Sequence, residues 1–261
     1  MKRAYADIPE GQIHYRFEGT GEPILLLHSA LASSNEFTKV MPFLSNAYCA
    51  IAPDYMGNGD SDPAPFQFQI IDHARTMISF MDCLGIKNAI VVGEHTGGKV
   101  GLEMTVTWPE RVNRLVLSSI GYYQDEAGKK VKDPPNFRDK VEIKPDGSHL
   151  MMWWKRAGIW GHPLDIVEDR FLEYLKAGPR GEEIHWAAYT YDPGPKLPLV
   201  RCSTLVLSAT HDPFYVVAER VHQLVPESKF TIIENGNIEI CRLMPKEFAK
   251  AILDFLNASN K

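Results

Sequence analysis

Ala89-Ile90-Val91-Val92-Gly93-Glu94-His95-Thr96-Gly97-Gly98 is the stretch that decides the fold of this chain. Its four apolar residues read as a buried strand, and the segment from Gly98 to Thr107 reads as a helix. Between them, Gly93 and Gly97 stand two residues either side of His95. A turn this sharp presses backbone against backbone, and only glycine leaves room at the flanking positions. In its Gly-x-Ser-x-Gly form, such a strand–turn–helix unit lifts a serine nucleophile above the end of a parallel sheet. Here the glycine frame is present and the central residue is histidine.

Outward from that turn the same alternation repeats. Gln12 to Glu18 alternates like a strand, while Ile24 to Leu27 and Cys49 to Ala52 read as fully buried ones. Ser34 to Leu44 suits a helix. Phe68 to Leu84 carries helical periodicity, with Gly85 where a C-terminal cap belongs. Strand Arg114 to Leu117 follows the helix after the turn. From Tyr122 to Pro198 the composition shifts to Pro, Gly, Lys and aromatics, including Met151-Met152-Trp153-Trp154. Alternation then resumes: strand Thr204 to Ser208, helix Pro213 to Leu224, strand Phe230 to Glu234 and a closing helix Pro245 to Leu256. Strands alternating with helices imply right-handed crossovers and an α/β fold with a mostly parallel sheet covered on both faces.

Bulk properties narrow the function classes. A chain of 261 residues is long enough for one α/β core with an insertion. A net charge of −5 gives no basic footprint, which argues against nucleic acid as a partner. No apolar run reaches the ~18 residues of a membrane helix, and Met1 to Asp7 lacks the apolar core of a secretory signal. A cytoplasmic protein acting on a small molecule is the expectation, with no nucleic acid or membrane partner and a homodimer left open. Cys49, Cys83, Cys202 and Cys241 are widely spaced and read as free, buried thiols.

Four further motifs stand in order around the turn. Leu25-Leu26-Leu27-His28-Ser29-Ala30 ends a buried strand, and Pro53-Asp54-Tyr55-Met56-Gly57-Asn58-Gly59-Asp60-Ser61-Asp62 is a glycine turn. Trp108-Pro109-Glu110-Arg111-Val112 leads into Leu115-Val116-Leu117, and Leu205-Val206-Leu207-Ser208-Ala209-Thr210-His211-Asp212-Pro213 is a strand and loop. With the turn at His95, these resemble the α/β-hydrolase superfamily over essentially the whole chain, in the branch with a helical cap inserted after the sixth strand. The resemblance implies a core of residues 1–121 and 199–261 with a cap or lid at 122–198.

The resemblance also implies a nucleophile, an acid and a base in that chain order. Asp212 matches the acid; standing before Pro213 it also reads as a helix N-cap, and the two roles are compatible. The base belongs on the loop Asn235-Gly236-Asn237-Ile238-Glu239, where Asn237 is the matching residue, and no histidine follows His222. Two of three triad members therefore differ from the family pattern. From the turn, the long imidazole of His95 is expected to reach the space of the missing base, within hydrogen-bond distance of Asp212. A carboxylate there fixes one tautomer and raises the basicity of the other nitrogen. His95 would then act as general base or acid, worth ~10²–10⁴ in rate, with Asn237 orienting the ring or holding a water.

Backbone N–H groups of Ala30 and Thr96 would form the oxyanion hole, independent of side-chain identity. Ser29, Tyr55, Trp153 and Trp154 are candidates to line a substrate pocket, though ordinary packing is an equal reading for the aromatics. Glu94 is expected to point away from the pocket in a structural role. The nine histidines show no His-x-x-x-His or His-x-x-Glu-His spacing, so neither a metal nor an organic cofactor is expected. The chemistry expected first is hydrolysis of an ester, lactone or C–C bond by water activated through His95 and Asp212. Cofactor-free proton transfer on the same fold is the second expectation: decarboxylation, elimination, isomerisation or cyclisation. A ligand-binding relative without turnover is the third.

Overall fold

The computed structural model describes residues 1–122 and 142–258. In chain order the elements are β1 (Lys2–Ile8), β2 (Gly11–Glu18), β3 (Pro23–Leu27), α1 (Met41–Leu44), β4 (Cys49–Pro53), α2 (Ile70–Cys83), β5 (Ala89–Glu94), α3 (Thr96–Thr107) and β6 (Val112–Ser118). Three helices follow: α4 (Ser148–Ala157), α5 (Leu164–Ala177) and α6 (Glu182–Thr190). The chain then returns through β7 (Ser203–Ala209), α7 (Tyr215–Leu224), β8 (Lys229–Ile233), α8 (Ile240–Leu243) and α9 (Pro245–Ala258). Residues 123–141 of the expected insertion lie outside the described residues.

The strands form one sheet in the order β1-β2-β4-β3-β5-β6-β7-β8. Pairs from β4 to β8 are parallel, and β1 and β2 are joined antiparallel at one edge. Successive residues of the central runs face opposite sides, as strand geometry requires. Leu25, Leu27, Val91, Leu115 and Leu117 pack with Met77, Phe80, Val100 and Leu102 on one face. Ile24, Leu26, Ile90, Val92 and Val116 pack with Phe37, Phe248, Ile252 and Leu256 on the other. Burial on both faces explains why these strands read as continuous apolar runs rather than alternating ones. No helix of the described residues is long and apolar enough to cross a membrane.

Local departures from the sequence reading have physical causes. Strand β1 escapes detection because only Ala6 and Ile8 are buried in it. The expected helix from Ser34 to Leu44 is a 3₁₀ turn, Ser34–Phe37, followed by α1, because Pro42 has no N–H to continue a helix through it. Helix α2 starts at Ile70, where Gln69 and Asp72 form a reciprocal capping box. Helix α7 starts at Tyr215 rather than Pro213, since Asp212 Oδ1 accepts from Phe214 N at 2.7 Å and holds a turn there. All four cysteines are free, but only Cys241 is buried; Cys83 is exposed and the others are half-buried.

Candidate active site

The site is built on the junction of β5 and α3. A Cβ at Gly93 would overlap the Gly97 carbonyl, and one at Gly97 would overlap the Leu27 carbonyl. Between them His95 takes φ 47° and ψ −105°, a conformation costing a non-glycine residue ~1–3 kcal/mol. Its amide donates to Ser118 O at 2.9 Å, which clips the turn to the end of β6. The parallel order places the β7 loop, with Asp212, beside that end.

The His95 ring is 8% exposed and lies against the Phe214 ring, centroids 5.3 Å apart. Its Nε2 is 2.9 Å from Asp212 Oδ2 and 3.4 Å from Glu94 Oε1. Asp212 thus spends one oxygen on a backbone turn and the other on imidazole. Both carboxylates meet Nε2, and no described residue bonds Nδ1. Nε2 thus faces both carboxylates at ion-pair distance without an aligned hydrogen bond to either, and Nδ1 is the ring nitrogen left for chemistry.

Electrostatics set the protonation of this group. Burial disfavours a charged imidazole, but the Asp212 carboxylate and then Glu94 outweigh it, raising His95 to about 9. Burial pushes Glu94 up to about 8, against the attraction of His95. Burial also acts to raise Asp212, yet His95 and the Phe214 amide win and hold it below the usual carboxylate range. Two carboxyl groups around one ring are thereby separated into a neutral acid and an ion.

Ala30 N and Thr96 N donate to no other group among the described residues. The close approach of Gly97 to Leu27 brings the start of α3 against the end of β3, just before Ala30. The loop between them is held by Glu36, which is 1% exposed and accepts Ser29 N and Ser29 Oγ, each at 2.8 Å. Ser29 is thus tied to the loop rather than turned to a pocket. His28 donates from Nδ1 to Ser29 O at 2.7 Å and accepts Tyr55 N at Nε2, 3.0 Å, so its tautomer is settled by its partners.

The other expected site residues are dispersed. Asn237 Oδ1 accepts Glu239 N at 3.1 Å and caps its own loop. Tyr55 is fully buried against His28 and His73, its hydroxyl without a partner among the described residues. Trp153 packs on Tyr174 and Trp154 on Phe171, both contacts within the helical insertion. Glu94 does not point away: it flanks the ring. A buried ionic group ties α5 to the loop and helix after β8. Arg242 Nη2 meets Glu173 at 2.7 and 2.9 Å and Arg242 Nε meets Glu239 at 3.0 Å; Arg170 also pairs with Glu239.

Among the described residues, two side-chain sets could hold a metal ion, Glu94–His95–Asp212 and His14–Asp54–Asp60. Neither was visible as a spacing, because each gathers residues from distant segments. In the first, Nε2 would have to give up its ion-pair contact with Asp212. In the second, Asp54 already accepts His14 Nδ1, Ser34 N and Asp60 N. Among the described residues, cavities of about 270 and 190 Å³ lie between α5 and the loops after β3 and β4, and His95 lines neither.

A family model described as the alpha/beta hydrolase fold matches residues 22–157. Haloalkane dehalogenase 2 of Mycobacterium tuberculosis (strain ATCC 25618 / H37Rv) is 36% identical over 118 residues, 45% of this chain and 41% of that protein. The 2-hydroxy-6-oxo-6-phenylhexa-2,4-dienoate hydrolase of Comamonas testosteroni is 32% identical over 120 residues, 44% of this chain and 42% of that protein. The chain thus matches less than half the length of these relatives. The enol-lactonase from Burkholderia xenovorans LB400 superposes at TM-score 0.83, covering 97% of this chain and 100% of that one. At 18% identity, that likeness is one of fold.

Proposed function

Since the chain belongs to the alpha/beta hydrolase fold family, we propose that it is a small-molecule hydrolase whose working base is His95. The observation that carries this reading is the 2.9 Å contact of His95 Nε2 with Asp212, made from a strained turn and leaving Nδ1 unbonded. In the neutral ring, Nε2–H faces Asp212 and Nδ1 takes a proton from water. The hydroxide equivalent adds to the carbonyl of an ester, a lactone or a ketone activated for C–C cleavage. Ala30 N–H and Thr96 N–H hold the oxyanion. As the tetrahedral species collapses, Nδ1–H returns its proton to the departing oxygen or carbon. The helical segment within 122–198 would cap the site. The names of two relatives, a dienoate hydrolase and an enol-lactonase, support hydrolysis.

A second reading has its own support. With His95 raised to about 9, the ring is a cation at neutral pH and a proton donor beside the oxyanion hole, which suits cofactor-free proton transfer. The pH profile discriminates: a base requires kcat/KM to rise toward pH 9, and an acid requires it to fall. Turnover of a panel of aryl esters, lactones and β-diketones tests the proposal. Wild type should turn over at least one of them, His95→Ala should not, and a serine-directed phosphonate should leave the protein unlabelled. Stoichiometric labelling of a serine, Ser29 or Ser119 first, would replace this mechanism with a serine one. Ligand-dependent stabilisation without any turnover would favour a binding protein.

A further inference from the structure

The larger cavity, about 270 Å³, lies between the loop after β4 and the end of α5 with the start of α6. Its walls are apolar, with Met56, Pro63, Phe68 and Ile184 among them. Two deeply buried polar residues also line it. Asn58 and His73 are each 3% exposed, and Asn58 Nδ2 and His73 Nδ1 have no hydrogen-bond partner among the described residues. A buried donor left unmet costs ~1–3 kcal/mol, so a ligand that supplies an acceptor recovers that penalty. At the mouth stand Lys176 and Arg180, each paired with one acid, Asp60 and Glu183 respectively. The Lys176–Asp60 pair is exposed and weak, so Lys176 can turn to a bound anion, while Arg180 is held in place by two bonds to Glu183 and one to Ala64 O and adds its charge from there. The start of α6, which also borders the cavity, adds positive potential of the same sign.

We propose that this cavity is a binding site, separate from the His95 centre, for a small monocarboxylate with an apolar body. Its volume lies just below the usual range for drug-sized ligands and suits a single-ring acid. The ring packs on Met56, Phe68 and Ile184 while the carboxylate meets the Asn58 amide and the mouth cations. A series of mutually tilted rings, His73, Tyr55 and His28, runs from this cavity to the end of β3, with centroid separations of 5.3 and 4.3 Å. It joins the two sites through packed rings without making them one.

Titration with benzoate, followed by amide NMR shifts and calorimetry on the whole chain, tests the proposal. Shifts are expected at residues 56–68 and 176–184, with benzamide at least threefold weaker and benzylamine weaker still. Lys176→Ala with Arg180→Ala, both surface changes, should weaken benzoate about three- to tenfold. Asn58→Asp should weaken it more than Asn58→Ala and should improve benzylamine. His95→Ala should leave the benzoate Kd unchanged. Shifts confined to Ala30 and Thr96, equal affinity for benzoate and benzylamine, or a Kd unmoved by the mouth variants would each overturn it.

Discussion

Asp212→Asn keeps the shape of the acid and removes its charge from Nε2 of His95. In the native protein the charged ring is stabilised by a carboxylate at 2.9 Å, and the pair is almost fully buried. Without that charge, burial alone acts on the imidazole and carries it from about 9 to the unperturbed 6.5 or lower. At roughly 1.4 kcal/mol per pKa unit, a drop of about 2.5 units corresponds to at most ~3.5 kcal/mol of folding stability, and to about 3 at pH 6 where the unfolded ring is already partly charged. The sign follows from a raised histidine. Its contribution is complete below about pH 6.5 and is lost as pH rises through about 9. Urea unfolding should therefore show Asp212→Asn about 3 kcal/mol less stable than wild type at pH 6, the gap closing toward pH 10. Histidine-detected NMR should show the His95 pKa falling by at least two units, and kcat/KM should drop ~10²–10⁴-fold as the ring loses its tautomer control. A stability gap independent of pH, or a His95 pKa that stays put, would refute the argument.

Further outcomes follow from the same structure. Glu94 is raised to about 8, so its burial penalty grows as pH rises from about 4.5 to 8; Glu94→Gln should match wild type at pH 4.5 and exceed it by a few kcal/mol at pH 8 in urea melts. Arg242→Ala leaves Glu173 and Glu239 buried without their shared cation and should cost ~3–5 kcal/mol by the same assay, a loss below 1 kcal/mol contradicting the view of this group as the tie between α5 and the core. His95→Ser alone should not hydrolyse p-nitrophenyl acetate, whereas pairing it with Asn237→His should restore a serine–histidine–acid arrangement and measurable release of nitrophenolate.

The fold was legible because its signals are local. Gly93 and Gly97 mark a turn that nothing larger can make, and buried runs such as Ile24 to Leu27 declare a sheet covered on both sides. Strand β1 was not legible, since a polar edge strand shows too few buried positions to reveal its period. Within the site, Glu94 was misread for a specific reason. The residue before a serine-sized side chain has no group to meet, but an imidazole folded toward Asp212 brings Nε2 back within 3.4 Å of it. Glu36 gave no signal because its role, holding Ser29, exists only once the loop between them has closed. The pairing of Arg242 with Glu173 spans 69 residues and carries no periodicity at all.

The central claim is that His95 is the base at the elbow, and the pH dependence of kcat/KM for wild type and His95→Gln over pH 6–10 tests it most directly. A hydrolysed lactone or ester from the substrate panel serves as the reporter. Wild type should show a rising limb with its midpoint near 9, matching the NMR titration of the His95 ring. His95→Gln should lie at least ~100-fold lower and lack that limb. Near wild-type turnover in His95→Gln, with the limb intact, would contradict the claim and place the chemistry elsewhere in the cleft.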